Sequence, residues 1–179
     1  MPDWKSRYFA PSVWIDDLVM AALGQSNEIP ALTTGTPAPD FNLKTTAGES
    51  LSLNQYRGRV VLIDFWQTWC PPCVEELPHL EALQKRYGAR GLVVLGITGK
   101  LDGVGAKELR DLVRDNRIDY PILVDEKGAV ASLYDVSGYP HVFIIDESGR
   151  LAFEKSGYQR GGELELEQEI QKALARSEK

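Results

Sequence analysis

Residues 60–66, V-V-L-I-D-F-W, form a nearly continuous apolar run with one charge, Asp64, inside it. A run of strand length without polar alternation marks a strand buried on both faces. The pattern returns at 91–98, G-L-V-V-L-G-I-T, at 120–125, Y-P-I-L-V-D, and at 142–145. Between these runs the period lengthens. Leu77, Leu80 and Leu83 share a face of a segment from Cys70 to Tyr87, and Leu109, Leu112 and Val113 share one from Ala106 to Asn116. Strand, helix, strand, helix predicts a parallel sheet with helices packed on it. Phe41, Leu43, Leu51 and Leu53 alternate about Ala47-Gly48 and predict a hairpin covering one sheet edge. D-E-S-G-R at 146–150 predicts a second hairpin turn, and Gly128 with Tyr134 brackets a short helix. From Gly162 onward, Leu164, Leu166, Ile170 and Leu174 stand among charges, predicting a final amphipathic helix.

The first 28 residues follow a different plan. Apolar positions 14, 15, 18, 19 and 22 repeat at helical spacing between Ser12, a candidate N-cap, and Gly24. A Pro/Gly/Thr-rich stretch at 29–40 follows. The expected division is therefore an extension at 1–34 and one α/β domain at 35–179. The extension's helix either packs on the domain, docks a partner or second copy, or is the remnant of a juxtamembrane segment.

Composition narrows the functional classes. The 179 residues suffice for one sizeable core. Twenty Lys and Arg against 26 Asp and Glu leave a formal charge of -6 with no basic cluster, which disfavours nucleic acid as a partner. No stretch reaches the 18 or so apolar residues of a membrane span. The first residues, M-P-D-W-K-S-R-Y-F-A, lack the basic-then-apolar order of a signal peptide. That leaves a cytoplasmic protein or an exported one whose signal or anchor is not in this sequence.

Chemistry concentrates at 64–78, D-F-W-Q-T-W-C-P-P-C-V-E-E-L-P, which holds both cysteines, Cys70 and Cys73. Two cysteines do not make a disulfide scaffold in a chain this long. Placed after a strand, with the first capping a helix and the second in its first turn, they make a redox pair whose first thiolate is stabilised by the helix N-terminus. C-x-x-C is also half a zinc site, and His79 and His141 would be the other candidate ligands. His79 follows Pro78 on the same helix and His141 begins a strand, so spacing disfavours that set. Pro71 and Pro72 fit a first turn whose amides have no intrahelical partner, whereas Pro78 should kink the helix one turn later. Asp64 should point into the core, where burial raises its pKa; it either handles a proton or only hydrogen-bonds polar neighbours.

The stretch V-V-L-I-D-F-W-Q-T-W-C-P-P-C-x-x-E-x-P resembles the active-site segment of the thioredoxin superfamily, most closely its TlpA/ResA-type thiol-disulfide oxidoreductases. Gly35 to Phe41 is similar to that branch's G-x-x-A-P-x-F lead-in, and 91–134 is similar to its extra helix-and-strand insertion. The resemblance implies a thioredoxin-like fold: a central mixed sheet with helices on both faces, an N-terminal hairpin and that insertion. It implies that Cys70 is the nucleophile and Cys73 the resolving thiol. Asp64 matches the buried proton acceptor of thioredoxins, where many TlpA-type chains carry asparagine, and Glu76 matches the branch's active-site glutamate. Trp69 resembles the exposed ring beside the disulfide. In S-G-Y-P-H, Pro140 matches the family's cis-proline and Tyr139 the residue whose backbone pairs with a client. Tyr139 is bulkier than usual, and His141 replaces a common threonine; His141 either faces the sulfurs, favouring a thiolate if charged, or sits at the solvent rim.

The expected activity is reduction of client protein disulfides through Cys70 and Cys73, with Trp69, Pro71, Pro72, Tyr139, Pro140 and His141 toward the client. No cofactor beyond the redox-active disulfide is implied. The implied partners are client proteins and an upstream thiol-disulfide electron donor, with cytochrome c or copper-site cysteines among the family's usual clients. The resemblance implies an extracytoplasmic, periplasmic setting, and a monomer is expected. Disulfide oxidation or isomerisation would use the same parts. A peroxidase of the peroxiredoxin kind should carry P-x-x-x-T-x-x-C, and here no proline stands at the first of those positions. A binding module with relic cysteines is the remaining alternative.

Overall fold

The computed structural model describes residues 32–101 and 103–177. The helix expected at 12–24 lies outside them, as does nearly all of the 1–34 extension. In chain order the elements are β1 (Asn42–Thr45), β2 (Ser50–Ser52), a 3-10 turn (Leu53–Tyr56), β3 (Val60–Trp66), α1 (Pro71–Tyr87), β4 (Leu92–Gly99), α2 (Gly103–Asp115), β5 (Ile122–Asp125), α3 (Ala129–Leu133), β6 (His141–Ile145), β7 (Leu151–Ser156) and α4 (Glu163–Ser177).

The strands form one seven-stranded sheet in the order β2-β1-β5-β4-β3-β6-β7. Strands β3, β4 and β5 run parallel, joined by α1 and α2. The two crossovers step the same way across the sheet, so the right-handed rule puts both helices on one face. The expected hairpin is β1-β2, joined antiparallel to β5 at one edge, and β6-β7 closes the other. The sheet is therefore mixed.

Pleating sorts the side chains of β3 to two cores. Val60, Leu62 and Trp66 pack with Cys70, Cys73, Leu77 and Leu80 of the α1 region and with Leu166, Ile170 and Leu174 of α4. Val61, Ile63 and Phe65 face the opposite core, with Phe41, Val130, Tyr134 and Phe143. In α4 the buried positions 166, 170, 173 and 174 follow helical spacing. Leu164 is a correction to the expected apolar face: two residues from Leu166 it is turned about 200° around the helix and lies exposed.

Helix α1 starts where expected. Cys70 is its N-cap, and the two prolines occupy the first turn. The helix continues through Pro78 to Tyr87, and after a 3-10 turn Gly91 reverses the chain at φ 108°. Glycine reaches that left-handed conformation without steric cost.

The short helix α3 anchors the loop that returns to the active end of the sheet. The buried Asp125 carboxylate accepts hydrogen bonds from the amides of Ala129 (3.0 Å), Val130 (2.9 Å) and Ala131 (2.9 Å). Tyr134 packs edge-on to Phe143 and donates its hydroxyl to the Pro39 carbonyl at 2.7 Å. Asp125→Ala leaves three helix-start amides without their acceptor. It should lower the unfolding free energy by about 2 kcal/mol in urea titration at pH 7, with Asp125→Asn costing less.

Candidate functional site

Strand β3 ends at Trp66, and a tight turn, with the Cys70 amide donating to the Gln67 carbonyl at 3.1 Å, delivers Cys70 to the start of α1. Cys73 lies one turn later. The two are joined in a disulfide with a Cα–Cα distance of 5.3 Å. Cys70 is 5% exposed and Cys73 1%, so the sulfur at the helix cap is the more accessible. Pro71 and Pro72 carry no amide hydrogen, so it is the positive end of the α1 dipole, capped at Cys70, that favours a thiolate over a thiol there.

A surface surrounds this end of the helix. Trp69 is 70% exposed and meets the Tyr139 ring edge-on, with centroids 6.1 Å apart. Pro71 and Pro72 are exposed beside it. The Tyr139-Pro140 bond is cis, Pro140 is buried, and its carbonyl accepts the Gly157 amide at 2.8 Å. Among the expected client-facing residues, Trp69, Tyr139 and the two exposed prolines supply surface, while Pro140 supplies backbone shape.

Beneath the disulfide lie two carboxyls. Asp64 shares the pleat side of Leu62 and Trp66 and is 1% exposed; Glu76 is buried on α1, one turn after Cys73. Among the described residues neither oxygen of Asp64, nor Glu76 Oε2, has a hydrogen-bond partner. Burial pushes the Asp64 pKa well above the usual carboxylate range, and the charge of Glu76 pushes it further. Burial likewise raises Glu76 to about 7, opposed by the positive charge of Lys155 and aided by the negative charge of Glu163. The two carboxyls therefore titrate as one coupled group, both held neutral to higher pH than a free carboxyl. Glu75 is exposed and accepts a 2.7 Å hydrogen bond from Arg160.

His141 departs from expectation. It pairs in register with Phe65, so its ring lies on the face of the sheet opposite Cys73. It is 4% exposed, stacked on Phe143 with centroids 4.5 Å apart, and its Nε2 is 2.9 Å from Glu154 Oε1. Strand parity accounts for the correction to both expected placements: the position after Pro140 faces away from the sulfurs and into the second core, and neither the solvent rim nor the client surface receives the ring. His79 is exposed on α1, stacked on Tyr158 and 3.5 Å from Glu163. Among the described residues no three of His, Cys, Asp and Glu are grouped to hold a metal.

Other polar groups lie in the same layer that the sequence pattern did not single out. Trp66 Nε1 and the Tyr120 hydroxyl are buried without hydrogen-bond partners among the described residues. Gly96, paired with Asp64 across β3-β4, makes room for them: a Cβ there would lie 3.0 Å from Trp66 Nε1 and 3.3 Å from the Tyr120 ring. A glycine inside an otherwise buried strand is the one signal that marked this close approach.

Comparison with known proteins agrees with the geometry. The model of the AhpC/TSA family matches residues 34–154. The thiol-disulfide oxidoreductase ResA of Geobacillus thermodenitrificans is 33% identical over 142 residues, covering 75% of this chain and 79% of that protein. The thioredoxin-like protein YneN of Bacillus subtilis is 42% identical over 115 residues, 64% of this chain and 66% of that one. Among solved structures, a putative thiol:disulfide interchange protein DsbE from Chlorobium tepidum superposes with a TM-score of 0.73 at 32% identity, covering 80% of this chain and 99% of the other.

The acid pair links stability to pH. Glu76 binds its proton more tightly folded than unfolded, so its contribution is full below the unfolded value near 4.5 and is lost as pH rises through about 7. That shift corresponds to about 3 kcal/mol. Relative to wild type, oxidised Glu76→Gln should gain about 2–3 kcal/mol as pH is raised from 5 to 8 in urea unfolding, and Asp64→Asn should move the same way. A difference independent of pH would contradict the burial argument.

Proposed function

Because the chain belongs to the AhpC/TSA family and is a thiol-disulfide oxidoreductase of thioredoxin-like fold, we propose that it works as a reductant of disulfides in client proteins. The observation that supports this reading is the pair of buried acids under the disulfide. A base that titrates near neutrality beside Cys73 serves the resolving step, in which that thiol must lose a proton.

Reduction proceeds in two exchanges. The Cys70 thiolate, held by the start of α1, attacks one sulfur of a client disulfide; a Cys70–client disulfide forms and the other client sulfur leaves as a thiolate. Cys73 gives its proton to the Asp64–Glu76 pair and attacks the Cys70 sulfur. The client leaves as a second thiolate, and the Cys70–Cys73 disulfide remains. Two electrons have passed to the client, and an upstream dithiol must restore them. The coupled pair is the base in this scheme. Trp69 and Tyr139 offer an apolar bracket to the client, and the Tyr139 backbone before cis-Pro140 pairs with an extended segment. We assign its action to an extracytoplasmic, periplasmic compartment, as a monomer, with cysteines of c-type cytochromes or copper sites as candidate clients; the ResA-like sequence supports this assignment. No helix among the described residues is long and apolar enough to cross a membrane.

Insulin reduction separates the roles. Cys70→Ser should abolish turnover. Cys73→Ser should also stop turnover but accumulate client as a mixed disulfide on Cys70, recoverable on non-reducing gels and identifiable by mass. Turnover retained in Cys70→Ser would remove the proposed nucleophile. A midpoint potential above roughly −150 mV, in the range of dedicated oxidants, would reverse the direction.

A further inference from the structure

The disulfide lies between two unlike surfaces. Toward α4 the charges are matched: Arg160 donates to Glu75 at 2.7 Å, His79 stands 3.5 Å from Glu163, and Lys155 donates to Glu165 at 2.7 Å. Toward α2 they are not. An open pocket of about 430 Å³ lies between the loops that follow β3 and β4, with Trp69, Thr68, Lys100, Leu101 and Glu108 in its walls. Leu101, half-buried against the core, also lines a second pocket of about 680 Å³ formed by α2, β5 and β1. There Lys44, Arg110 and Lys127 surround an apolar floor that includes Leu43 and Val124.

The side chains of Lys44, Lys100, Arg110 and Lys127 are exposed and make no ion pair or hydrogen bond among the described residues. The acids beside them are fewer. Glu108 accepts the Thr68 hydroxyl at 3.3 Å, Glu126 is exposed, and the Asp125 carboxylate is turned inward onto the amides of α3. The groove thus carries an excess of positive charge in a chain whose formal charge is -6. By contrast, a cavity of about 410 Å³ beside Glu81, farther along α1, has its cations engaged: Lys85 Nζ lies 3.1 Å from Glu81 Oε1, and Arg59 donates to the carbonyls of Gly88 and Leu92. The four free cations are scattered in sequence, and only the fold gathers them. Lys100 follows β4 and Lys127 follows β5, at the same end of these parallel strands as Cys70 after β3. That carboxyl end is where α/β sheets hold their ligands.

We propose that this groove docks an acidic, partly apolar stretch of the client polypeptide flanking its disulfide, so that clients with Asp and Glu near the reacting cysteine are preferred. The proposal deepens the disulfide-exchange reading above and takes its client as the occupant. Trp69 joins the two surfaces: its ring meets Tyr139 beside the disulfide and forms a wall of the first pocket. A segment leaving the Cys70 sulfur past Trp69 meets Lys100, then the three cations of the second pocket. Apolar side chains settle on Leu43, Leu101 and Val124 while carboxylates face the cations at the rim. Each exposed pair contributes little alone, and together they steer the encounter and fix its register. None touches a sulfur, so they act on client binding rather than on the exchange.

The test uses three disulfide-bonded peptides of one core sequence with flanks rich in Glu, Gln or Lys. At low salt the wild-type kcat/KM should fall in that order, spanning about tenfold and mainly through KM, and the spread should collapse near about 0.5 M salt. Lys100→Glu combined with Lys127→Glu should reverse the order. Arg117→Glu combined with Lys172→Glu makes the same change in net charge outside the groove and should keep it. Fluorescence anisotropy of labelled peptides with serine in place of cysteine reads docking without sulfur chemistry and should rank the flanks alike. Equal turnover and equal affinity for Glu-rich and Lys-rich flanks in the wild type overturn the groove. So does a preference that survives reversal at 100 and 127, or one that the control pair abolishes equally. If the wild type reduces none of the peptides yet binds the Glu-rich serine peptide selectively, the exchange reading has failed and the acidic docking stands; reduction of all three at one rate, with equal affinities, sinks the docking alone.

Discussion

The pleat of β3 constrains the rest of the site. The strand runs through the middle of the sheet with helices or loops over both faces, so every second residue has to enter one core and its neighbours the other. A charge at position 64 then has no route to water along the strand. It is carried into the layer under α1, where the disulfide lies, and that placement costs folding free energy because a buried carboxyl without partners is held neutral. Glu76, arriving from the helix one turn after Cys73, meets the same apolar layer and is pushed toward neutrality. The exchange chemistry and the destabilisation above neutral pH have one origin.

Features set by local sequence were legible beforehand. The apolar run of β3, the cap at Cys70, the extent of α1 and the two hairpins depend on neighbours within a few residues, and the structure has them where the pattern put them. The cis bond before Pro140 came from family resemblance, since the dipeptide alone favours trans. His141 was misplaced because its face depends on pairing with Phe65, some 76 residues earlier, which no local pattern carries. Leu164 was misplaced for a simpler reason: apolar composition was read where helical angle decides.

The residues around Asp64 were illegible for a third reason. Trp66, Glu81, Gly96 and Tyr120 come from β3, α1, β4 and the loop before β5, and only the folded sheet makes them neighbours. Each has an ordinary explanation when read singly, as core aromatic, helix charge or strand glycine. The unusual fact is collective: several buried polar atoms without hydrogen-bond partners in one layer, where native cores hold few.

The length of α1 has a consequence for a docked client. Cys73 and Glu81 are eight residues apart on the helix, about 12 Å along its axis. A polypeptide lying over Trp69, Tyr139 and the disulfide would shut water out of the front of the molecule, and the cavity at Glu81 would stay wet behind it. The helix thus keeps the sulfurs at one end and an open cavity at the other, so closing the one does not require closing the other.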